Sequence, residues 1–319
     1  MLLNIENIVK INAEEEVEKI VAKMRNDVVH TLKKKGAVVG ISGGIDSSVV
    51  FALCVKAFGS DHVVGIIMPE KDSNKGSLSI AKNLASNLNA AFVVEDITEA
   101  LKGFGCYKRR DKAIKNIFPE YDENYKVKIV LLQDNMEKDS LNLYHLKIIS
   151  PSGEEKIARL PLREYLEIVA ASNLKQRSRM GMLYFHAESR NYAVIGTGNK
   201  NEHELGFFVK YGDGGADVKP LAGYFKTQIY QLAKSLNIPE EIIKRIPTTD
   251  TYSAEQTQEE FFFKIPFEIL DKIWACYENN LPAEEIAEMQ GMTSRQVENI
   301  ISDIQRKMRT TEYLRHEPI

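Results

Sequence analysis

The chain is poor in cysteine, lacks a long apolar run and has no visible leader segment. Its cysteines, Cys54, Cys106 and Cys276, are odd in number, far apart and without metal-ligand spacing. This argues against a disulfide framework and fits a reducing compartment. No window approaches the roughly 18 apolar residues that a membrane helix needs. The N-terminal apolar stretch is too short for a signal peptide, so we expect a cytoplasmic protein without a membrane partner.

An excess of positive charge is also missing, since the formal net charge is −3. Two basic runs, at 33–35 and 108–110, are typical of solvated helix ends or loops. Near the C-terminus, segments 283–290 and 294–310 resemble a helix-turn-helix pair, an arrangement that can bind DNA. The second segment carries Glu298 and Asp303, and the whole chain is acidic. We therefore favour ordinary packing helices and expect no nucleic-acid partner.

What the sequence does contain is a regular alternation of helices and buried strands. An amphipathic helix is predicted at 13–35, where apolar residues recur at helical spacing. Apolar strands are predicted at 36–42, 62–69 and 90–97, with helices at about 47–59 and 75–88 between them. Such strands indicate a parallel sheet covered on both faces. Right-handed crossovers make the predicted fold class α/β, a doubly wound sheet with helices on both faces.

The alternation breaks between about 103 and 165. Short strands are predicted there at 126–134, 140–149 and 156–162, with a turn before the last one, which indicates a small antiparallel insertion at about 105–165. The parallel pattern resumes with a helix at 166–190, a strand at 192–198 and a helix at 226–236. The C-terminal part is helical. We expect one domain over 1–260, including the insertion, and a helical extension over 261–319.

A glycine-rich segment connects the first strand to the following helix. It reads Gly40-Ile41-Ser42-Gly43-Gly44-Ile45-Asp46-Ser47-Ser48. Glycines allow a tight turn and close approach of a ligand to the backbone. Backbone N–H groups at a helix N-terminus, with hydroxyls beside them, form an anion site. The site would lie at the carboxyl end of a strand, where doubly wound folds bind ligands. The Gly-Lys-Ser/Thr ending of a Walker loop is absent.

This SGGxDS segment resembles the PP-loop of the N-type ATP pyrophosphatases, which cleave ATP between its α and β phosphates. A second block runs from Gly196 to Glu202 and from Gly206 to Asp217. It closely resembles the GTxNxxE…GxxTKYGDGxAD block of ammonia-dependent NAD synthetases. Segment 173–180 and the Pro247-Thr248 pair resemble the same family in order and spacing. The resemblance implies an adenine nucleotide alpha hydrolase-like fold.

The resemblance also implies a reaction. ATP would adenylate the carboxylate of nicotinic acid adenine dinucleotide (deamido-NAD), and ammonia would then displace AMP to give NAD. ATP is the implied co-substrate and Mg²⁺ the implied metal, since Mg²⁺ takes carboxylate and phosphate oxygens and keeps waters. Enzymes of this kind must align two anions and neutralise charge on the departing pyrophosphate.

Site residues follow from the matched motifs. Asp46 and Glu202 would bind the metal and, with Lys210, form the catalytic set. The acid substrate would contact Arg177, Lys210 and Asp217. The implied ATP-binding residues are Gly40, Ile41, Ser42, Gly43, Gly44, Ile45, Asp46, Ser47, Thr197, Lys226 and Thr248.

Three departures from the family pattern fall outside the ATP motif. Segment 256–267 lacks the family's aspartate, Leu-Gly and tyrosine. Tyr313-Leu314 stands where the family has a His-Lys pair that contacts the dinucleotide, and the insertion is longer than its family counterpart. Leu314 cannot replace a lysine ammonium. A PP-loop paralogue that amidates another carboxylate, on a sugar or a nucleotide, therefore stays open beside NAD synthetase.

The sequence also bears on the class of protein, the nitrogen source and the assembly. A tRNA-modifying or sulfur-transferring PP-loop enzyme would bring a basic surface or extra cysteines. A non-catalytic nucleotide sensor would not require both Asp46 and Glu202. Only about 35 residues precede the first strand, so we expect free ammonia, or a separate glutaminase subunit, to supply nitrogen. The family also implies a homodimer, for which the N-terminal helix and the 170–190 helix are candidates.

Overall fold

A computed structural model describes residues 5–131, 144–248 and 252–317. Its strands are β1 (Ala37–Gly40), β2 (Val63–Ile67), β3 (Ala91–Val94), β4 (Lys126–Leu131), β5 (Tyr144–Ile149), β6 (Glu155–Arg159) and β7 (Ala193–Ile195). Its α-helices are α1 (Ile5–Ile8), α2 (Ala13–Arg25), α3 (Ile45–Phe58), α4 (Lys75–Asn87), α5 (Thr98–Gly103), α6 (Cys106–Lys115), α7 (Leu162–Glu188), α8 (Lys200–Leu205), α9 (Lys226–Ser235), α10 (Glu240–Ile243), α11 (Phe267–Glu278), α12 (Ala283–Gln290) and α13 (Ser294–Thr310).

A four-stranded parallel sheet forms the centre of the molecule, in the order β3-β2-β1-β7. Ala37 of β1 is paired with Val63 on one side and with Ala193 on the other. Helices α2, α3 and α9 cover one face, and α7 covers the other through Met180 and Leu183. Strands β1, β2 and β7 are thus buried on both faces, as their apolar sequences require, whereas the edge strand β3 is largely exposed. The predicted α/β class, with a doubly wound sheet, is confirmed.

The inserted segment forms a separate three-stranded antiparallel sheet, β4-β5-β6. It has its own small core, in which Ile129 and Leu146 pack against Ile168 of α7 and against Tyr252. The predicted antiparallel insertion is confirmed. Parts of the strands expected at 126–134 and 140–149 lie in 132–143, outside the described residues.

Helices α5 and α6 were not expected from the sequence, which placed the break in the pattern at about 103. The buried face of α6 includes Arg110, which is 4% exposed and is ion-paired with Asp72. A charged side chain on the buried face obscures the apolar periodicity on which a helix prediction depends.

Helix boundaries differ from the expected ones at two places. The helix expected at 13–35 ends as an α-helix at Arg25 and continues as a wider π-type turn over Asn26–Thr31. The helix expected at 166–190 begins earlier, at Leu162, directly after Pro161. Proline has a fixed φ and is well suited to the start of a helix, so the earlier start has a local cause.

The C-terminal helices α11, α12 and α13 are found where the sequence places them. The helix-turn-helix-like pair packs inward, because Ile286, Val297 and Ile304 are all buried. This agrees with packing helices. The division into domains at residue 260 stays a prediction.

Each of three regions contains one buried cysteine: Cys54 in α3, Cys106 in α6 and Cys276 in α11. Burial raises the pKa of all three thiols. Among the described residues, no helix is both long enough and apolar enough to cross a membrane.

Candidate active site

The glycine-rich segment leaves β1 at its carboxyl end and enters the first turn of α3. Gly43 has a positive φ of 76°, and a Cβ on it would lie 3.0 Å from the carbonyl oxygen of Ser77. Glycine is therefore required there for both its backbone angle and its size. The turn is held by serines: the backbone N–H of Gly44 donates to Ser42 Oγ (3.3 Å), and Ser47 Oγ donates to the Gly44 carbonyl (3.0 Å).

A cavity of about 510 Å³ opens at this end of the parallel sheet. Segment 245–248 contributes to its wall beside the glycine-rich loop. Most of the residues that the sequence assigned to ATP and metal line it, namely Gly40, Ile41, Ser42, Gly44, Ile45, Asp46, Ser47, Thr197, Glu202 and Thr248. Gly43 belongs to the same loop, and Lys226 lies directly behind Asp46.

Two carboxylates, Asp46 and Glu202, are held side by side at the wall of this cavity. Asn199, which is fully buried, donates through Nδ2 to Asp46 Oδ1 (3.1 Å) and through its backbone N–H to Glu202 Oε2 (3.1 Å). The remaining oxygen of Glu202, Oε1, accepts a hydrogen bond from Gln258 Nε2 (3.2 Å). Asp46 is also ion-paired with Lys226. The capping box that begins α8 thus orients Glu202 towards Asp46.

The electrostatics of this cluster favour an additional cation. Desolvation, reinforced by the charge of Asp46, raises the pKa of Glu202 to about 8. Burial disfavours the charge of Lys226, but Asp46 and Glu202 raise its pKa above the ordinary value. One lysine cannot balance two carboxylates, so one of the acids takes up a proton at neutral pH unless a cation binds.

The donor set fits Mg²⁺ in particular. Two carboxylates at a cavity wall leave positions for water and phosphate oxygens, which is how Mg²⁺ is usually held. Within 5–131, 144–248 and 252–317 there is no group of three or more His, Cys, Asp or Glu side chains that could hold a metal. In those ranges Asp46 and Glu202 are therefore not part of a larger cluster of such ligands.

The NAD synthase family model matches residues 16–129 and 123–318. The chain belongs to the NAD synthase family. It is 43% identical over 309 residues to the NH(3)-dependent NAD(+) synthetase of Mesorhizobium japonicum, covering 97% of each chain. Its identity to the enzyme of the same name from Rhizobium meliloti is 44%, covering 97% of this chain and 92% of that one. The predicted family and its enzyme class, a ligase, are confirmed.

Solved structures show the same fold. One is NH3-dependent NAD synthetase from Campylobacter jejuni in complex with the nitrate ion, with a TM-score of 0.62, 24% identity and coverage of 97% of this chain and 99% of that one. Another is NMN synthetase from Francisella tularensis, with a TM-score of 0.61, 22% identity and coverage of 97% and 98%. At these identities the similarity concerns the fold alone.

The residues that the NAD synthase resemblance assigned to the acid substrate do not line the cavity. Arg177 is exposed, and its Nε donates to the carbonyl oxygen of Lys210 (3.2 Å). Lys210 Nζ donates to the carbonyl oxygen of His316 (2.7 Å). Asp217 accepts hydrogen bonds from the backbone N–H of Val194 and from a tyrosine hydroxyl, both at 2.8 Å. Their assignment to substrate stays a prediction.

Two residues that were not predicted from the sequence are also part of the NAD synthase site. Arg179 and Arg245 both line the cavity. Arg245 Nη2 donates to Ser77 Oγ (2.8 Å), and its Nη1 lies 3.4 Å from the Gly43 carbonyl oxygen, which places its positive charge beside the glycine-rich loop. Both arginines lie in or near segments that resemble the family and could have been noticed from the sequence. Arg179 is the second arginine of the matched 173–180 segment, and Arg245 lies two residues before the matched Pro247.

Proposed function

We propose that this protein is an ammonia-dependent NAD synthetase that converts deamido-NAD, ATP and ammonia into NAD, AMP and pyrophosphate. The observation that carries the proposal is the convergence of the glycine-rich loop with Asp46 and Glu202 in one cavity. The two rhizobial relatives, both NH(3)-dependent NAD(+) synthetases at 43–44% identity over nearly the whole chain, support the choice of substrate.

In the first step, a carboxylate oxygen of deamido-NAD attacks the α-phosphorus of ATP, and the bond from that phosphorus to the β-phosphate oxygen breaks. The glycine-rich loop holds the pyrophosphate that leaves, and Arg245 adds a positive charge next to it. Thr197 and Thr248 line the same cavity and provide hydroxyls to the nucleotide. Lys226 forms an ion pair with Asp46 and holds its carboxylate in position.

In the second step, the nitrogen of ammonia attacks the acyl carbon of the mixed anhydride. The carbon–oxygen bond to AMP breaks, and the nitrogen loses a proton to leave the neutral amide. No covalent bond to the protein is needed. The protein contributes alignment of the reactants and a fixed arrangement of charges, both of which lower the barrier.

Asp46 and Glu202 are the residues that would hold Mg²⁺. When bound, Mg²⁺ supplies positive charge to the phosphate oxygens as pyrophosphate departs. The pair is suited to this because both side chains line the cavity that contains the glycine-rich loop.

Arg177, Lys210 and Asp217 are proposed to contact deamido-NAD in a homodimer whose interface includes α7. At the start of this helix Leu162 and Leu166, which are one helical turn apart, are 72% and 56% accessible. Neighbouring exposed apolar side chains are typical of an association surface. The cytoplasmic location, and free ammonia or a separate glutaminase as the source of nitrogen, belong to the same proposal.

The experiment that tests the function measures pyrophosphate release from ATP by the purified protein with Mg²⁺. Release that requires both deamido-NAD and ammonium, with NAD as the product, supports NAD synthesis. Release that requires a different carboxylic acid identifies a paralogue with another substrate. If no acid supports release, the protein is a nucleotide sensor rather than a ligase.

A further inference from the structure

A buried carboxylate behind the cavity is hydrogen-bonded next to two charged residues of the site. Asp271 lies on α11 and is 0% exposed. Its Oδ1 accepts a hydrogen bond from Asn201 Nδ2 (2.6 Å), and its Oδ2 accepts the backbone N–H of Thr227 (2.8 Å). Asn201 directly precedes Glu202, and Thr227 directly follows Lys226. Each oxygen of Asp271 is therefore bonded one residue away from a charged group of the site.

These contacts close into a ring of hydrogen bonds. The backbone N–H of Lys226 donates to Asn201 Oδ1 (2.9 Å), so the fully buried side chain of Asn201 joins Asp271 to the start of α9. The ring connects three elements, α8, α9 and α11. Hydrogen bonds between buried groups are stronger than those in water and favour one arrangement of their partners. The ring therefore fixes the positions of the three helices relative to one another at the point where they approach the site.

The start of α9 explains why these acceptors are needed. The first N–H groups of an α-helix have no partner within the helix, and the side chain of the N-cap residue often accepts one of them. The N-cap of α9 is Phe225, whose side chain has no oxygen or nitrogen. The ring supplies acceptors to the first two N–H groups instead, and the helix dipole favours the negative charge of Asp271 at this end. The backbone from which Lys226 extends to Asp46 is thus held by α8 and α11.

Attachment of α11 to the rest of the molecule does not by itself account for a carboxylate at this position. Leu270 and Ile273 on the same helix are buried and apolar, and they pack without any polar group. Burial of a charge is costly, and it raises the pKa of Asp271 to about 6, although the hydrogen bonds from Thr227 and Asn201 oppose this rise. A side chain that costs stability in this way is explained by what it orients.

We propose that Asp271 is a positioning residue for the amide-forming reaction. Through the ring it fixes Glu202 at the start of α8 and Lys226 at the start of α9, and through Lys226 it also fixes Asp46. It contacts no reactant and acts only through these residues. The C-terminal helices thus contribute to catalysis as well as covering the sheet. The inference rests on the proposed function.

The test exchanges the two side chains of the ring, first singly and then together. Asp271→Asn places an amide where two N–H donors need acceptors, so one donor loses its partner. Asn201→Asp places two carboxylates against each other. In the double variant Asp271→Asn/Asn201→Asp, the amide at position 271 donates to the carboxylate at position 201, and both backbone N–H groups again have acceptors. The double variant therefore restores the ring and its total charge with different residues.

The control is Ile273→Val, which removes one buried methylene group from the apolar cluster on the same helix. It should lower the unfolding midpoint by about 1–3 °C without touching the ring. For each variant, kcat and the KM for deamido-NAD are measured at 25 °C, and thermal unfolding verifies the fold. Calorimetry measures the affinity for ATP with Mg²⁺ in the absence of the acid, so this readout does not depend on turnover. If Asp271→Asn does not fold, Asn201→Ala opens the ring from its other side and takes its place.

Each single exchange is expected to lower kcat by about 10- to 100-fold, the range found when a group that orients a site residue is removed. The affinity for ATP with Mg²⁺ should fall about tenfold, because Asp46 and Glu202 are no longer held together. The KM for deamido-NAD should stay within about twofold of the wild-type value. In the double variant, kcat and ATP affinity should return to within about threefold of the wild type, and Ile273→Val should behave like the wild type. This result would support the inference.

Three results would overturn the inference. Wild-type kcat and ATP affinity in folded single variants would show that the ring serves the fold alone. An equal loss of kcat in Ile273→Val would assign the effect to the packing of α11. A folded double variant without recovery would show that the ring is not what Asp271 acts through. If the wild type does not turn over deamido-NAD, the proposed function fails, and the ATP affinities of the same variants then decide the inference.

Discussion

The two sheets of this protein contribute to one cavity in different ways. In the parallel sheet, β1, β2 and β7 are buried on both faces, and the glycine-rich loop lies at the carboxyl end of β1. The inserted antiparallel sheet buries one face only, since Leu146 and Ile148 of β5 are buried and the residues between and beside them are more exposed. It contributes side chains rather than backbone. The backbone of the buried sheet therefore forms the phosphate site, while the insertion shapes the wall opposite it.

A short segment connects the two regions. The backbone of β4 is hydrogen-bonded to segment 252–256 at three places, since Ala254 N–H donates to the Val127 carbonyl (3.1 Å), Val127 N–H to Ser253 Oγ (3.0 Å), and Gln256 Nε2 to a carbonyl of β4 (2.9 Å). Two residues further on, Gln258 donates to Glu202. The edge of the inserted sheet is thus connected to the carboxylate cluster.

The largest effect is expected at the parallel sheet. Asp46→Asn removes one of the two carboxylates, and we expect kcat to fall by about 10²–10³-fold, the magnitude found when one group that stabilises developing charge is removed. Pyrophosphate release and far-UV circular dichroism measure activity and fold together. Asp61→Asn, at an exposed aspartate on the surface, is the control. Activity like that of the wild type in a folded Asp46→Asn variant would remove the metal assignment.

The next effect concerns the helix that contacts both regions. We expect Arg177→Ala to raise the KM for deamido-NAD about tenfold and that for ATP much less, because a charge-assisted hydrogen bond to the acid is lost. Arg163→Ala, on the same helix near its exposed start, is the control. A defect confined to ATP would show that Arg177 is assigned to the wrong substrate.

A third substitution, with a smaller expected loss of kcat than Asp46→Asn, tests the connection between the inserted sheet and Glu202. Gln258→Ala removes the donor to Glu202 Oε1, and we expect kcat to fall about tenfold while the protein stays folded. Gln305→Ala, which removes a glutamine on the surface of α13, is the matched control. If Gln258→Ala retains the full kcat, segment 252–258 only covers the site.

A thermal measurement examines the carboxylate pair without ligands or metal. The pKa of Glu202 is about 8 in the folded protein and near 4.5 when unfolded. The folded state therefore binds more protons, and stability from this group is present below pH 4.5 and is lost as pH rises to 8. Glu202→Gln abolishes that loss, so we expect its unfolding midpoint at pH 8 to exceed that of the wild type by about 2 °C or more. At pH 5 the difference should be smaller; equal differences at both pH values would contradict the assignment.

The smallest effect is expected at the edge of the inserted sheet. Lys128 forms a salt bridge of 2.9 Å with Glu260, whose side chain is 49% exposed. Such a pair contributes less than about 1 kcal/mol, so Lys128→Ala should lower the free energy of unfolding by no more than that and leave KM unchanged. Denaturant unfolding measures the change. A loss of several kcal/mol would mean that the insertion depends on charge rather than on its apolar core.

The parallel sheet and its loop could be predicted because their signals are local. The apolar strand, the glycines and Asp46 all lie within one short stretch of sequence. The structure explains the glycine at position 43 by its positive φ. The wall formed by the insertion could not be predicted in the same way. Tyr144, Tyr165 and Gln258 line the cavity together only through tertiary pairing, and nothing in their sequence spacing indicates it.

The arginines of α7 illustrate the same limit. Arg177 and Arg179 are two residues apart, and at 100° per residue they point in different directions. The motif contains both, but only the packing of the helix on the sheet decides that Arg179 faces the cavity. Sequence spacing identifies the segment, and the structure selects the side chain.

The buried thiols provide a separate reporter for each part of the molecule. Cys54 follows the glycine-rich loop, Cys106 begins α6 at the start of the inserted region, and Cys276 lies among the C-terminal helices. A disulfide reagent can react with a buried thiol only after the surrounding region opens. Variants that retain a single cysteine would therefore report the rate of local opening of each region separately. Nucleotide should slow labelling at Cys54, because α3 begins directly after the glycine-rich loop.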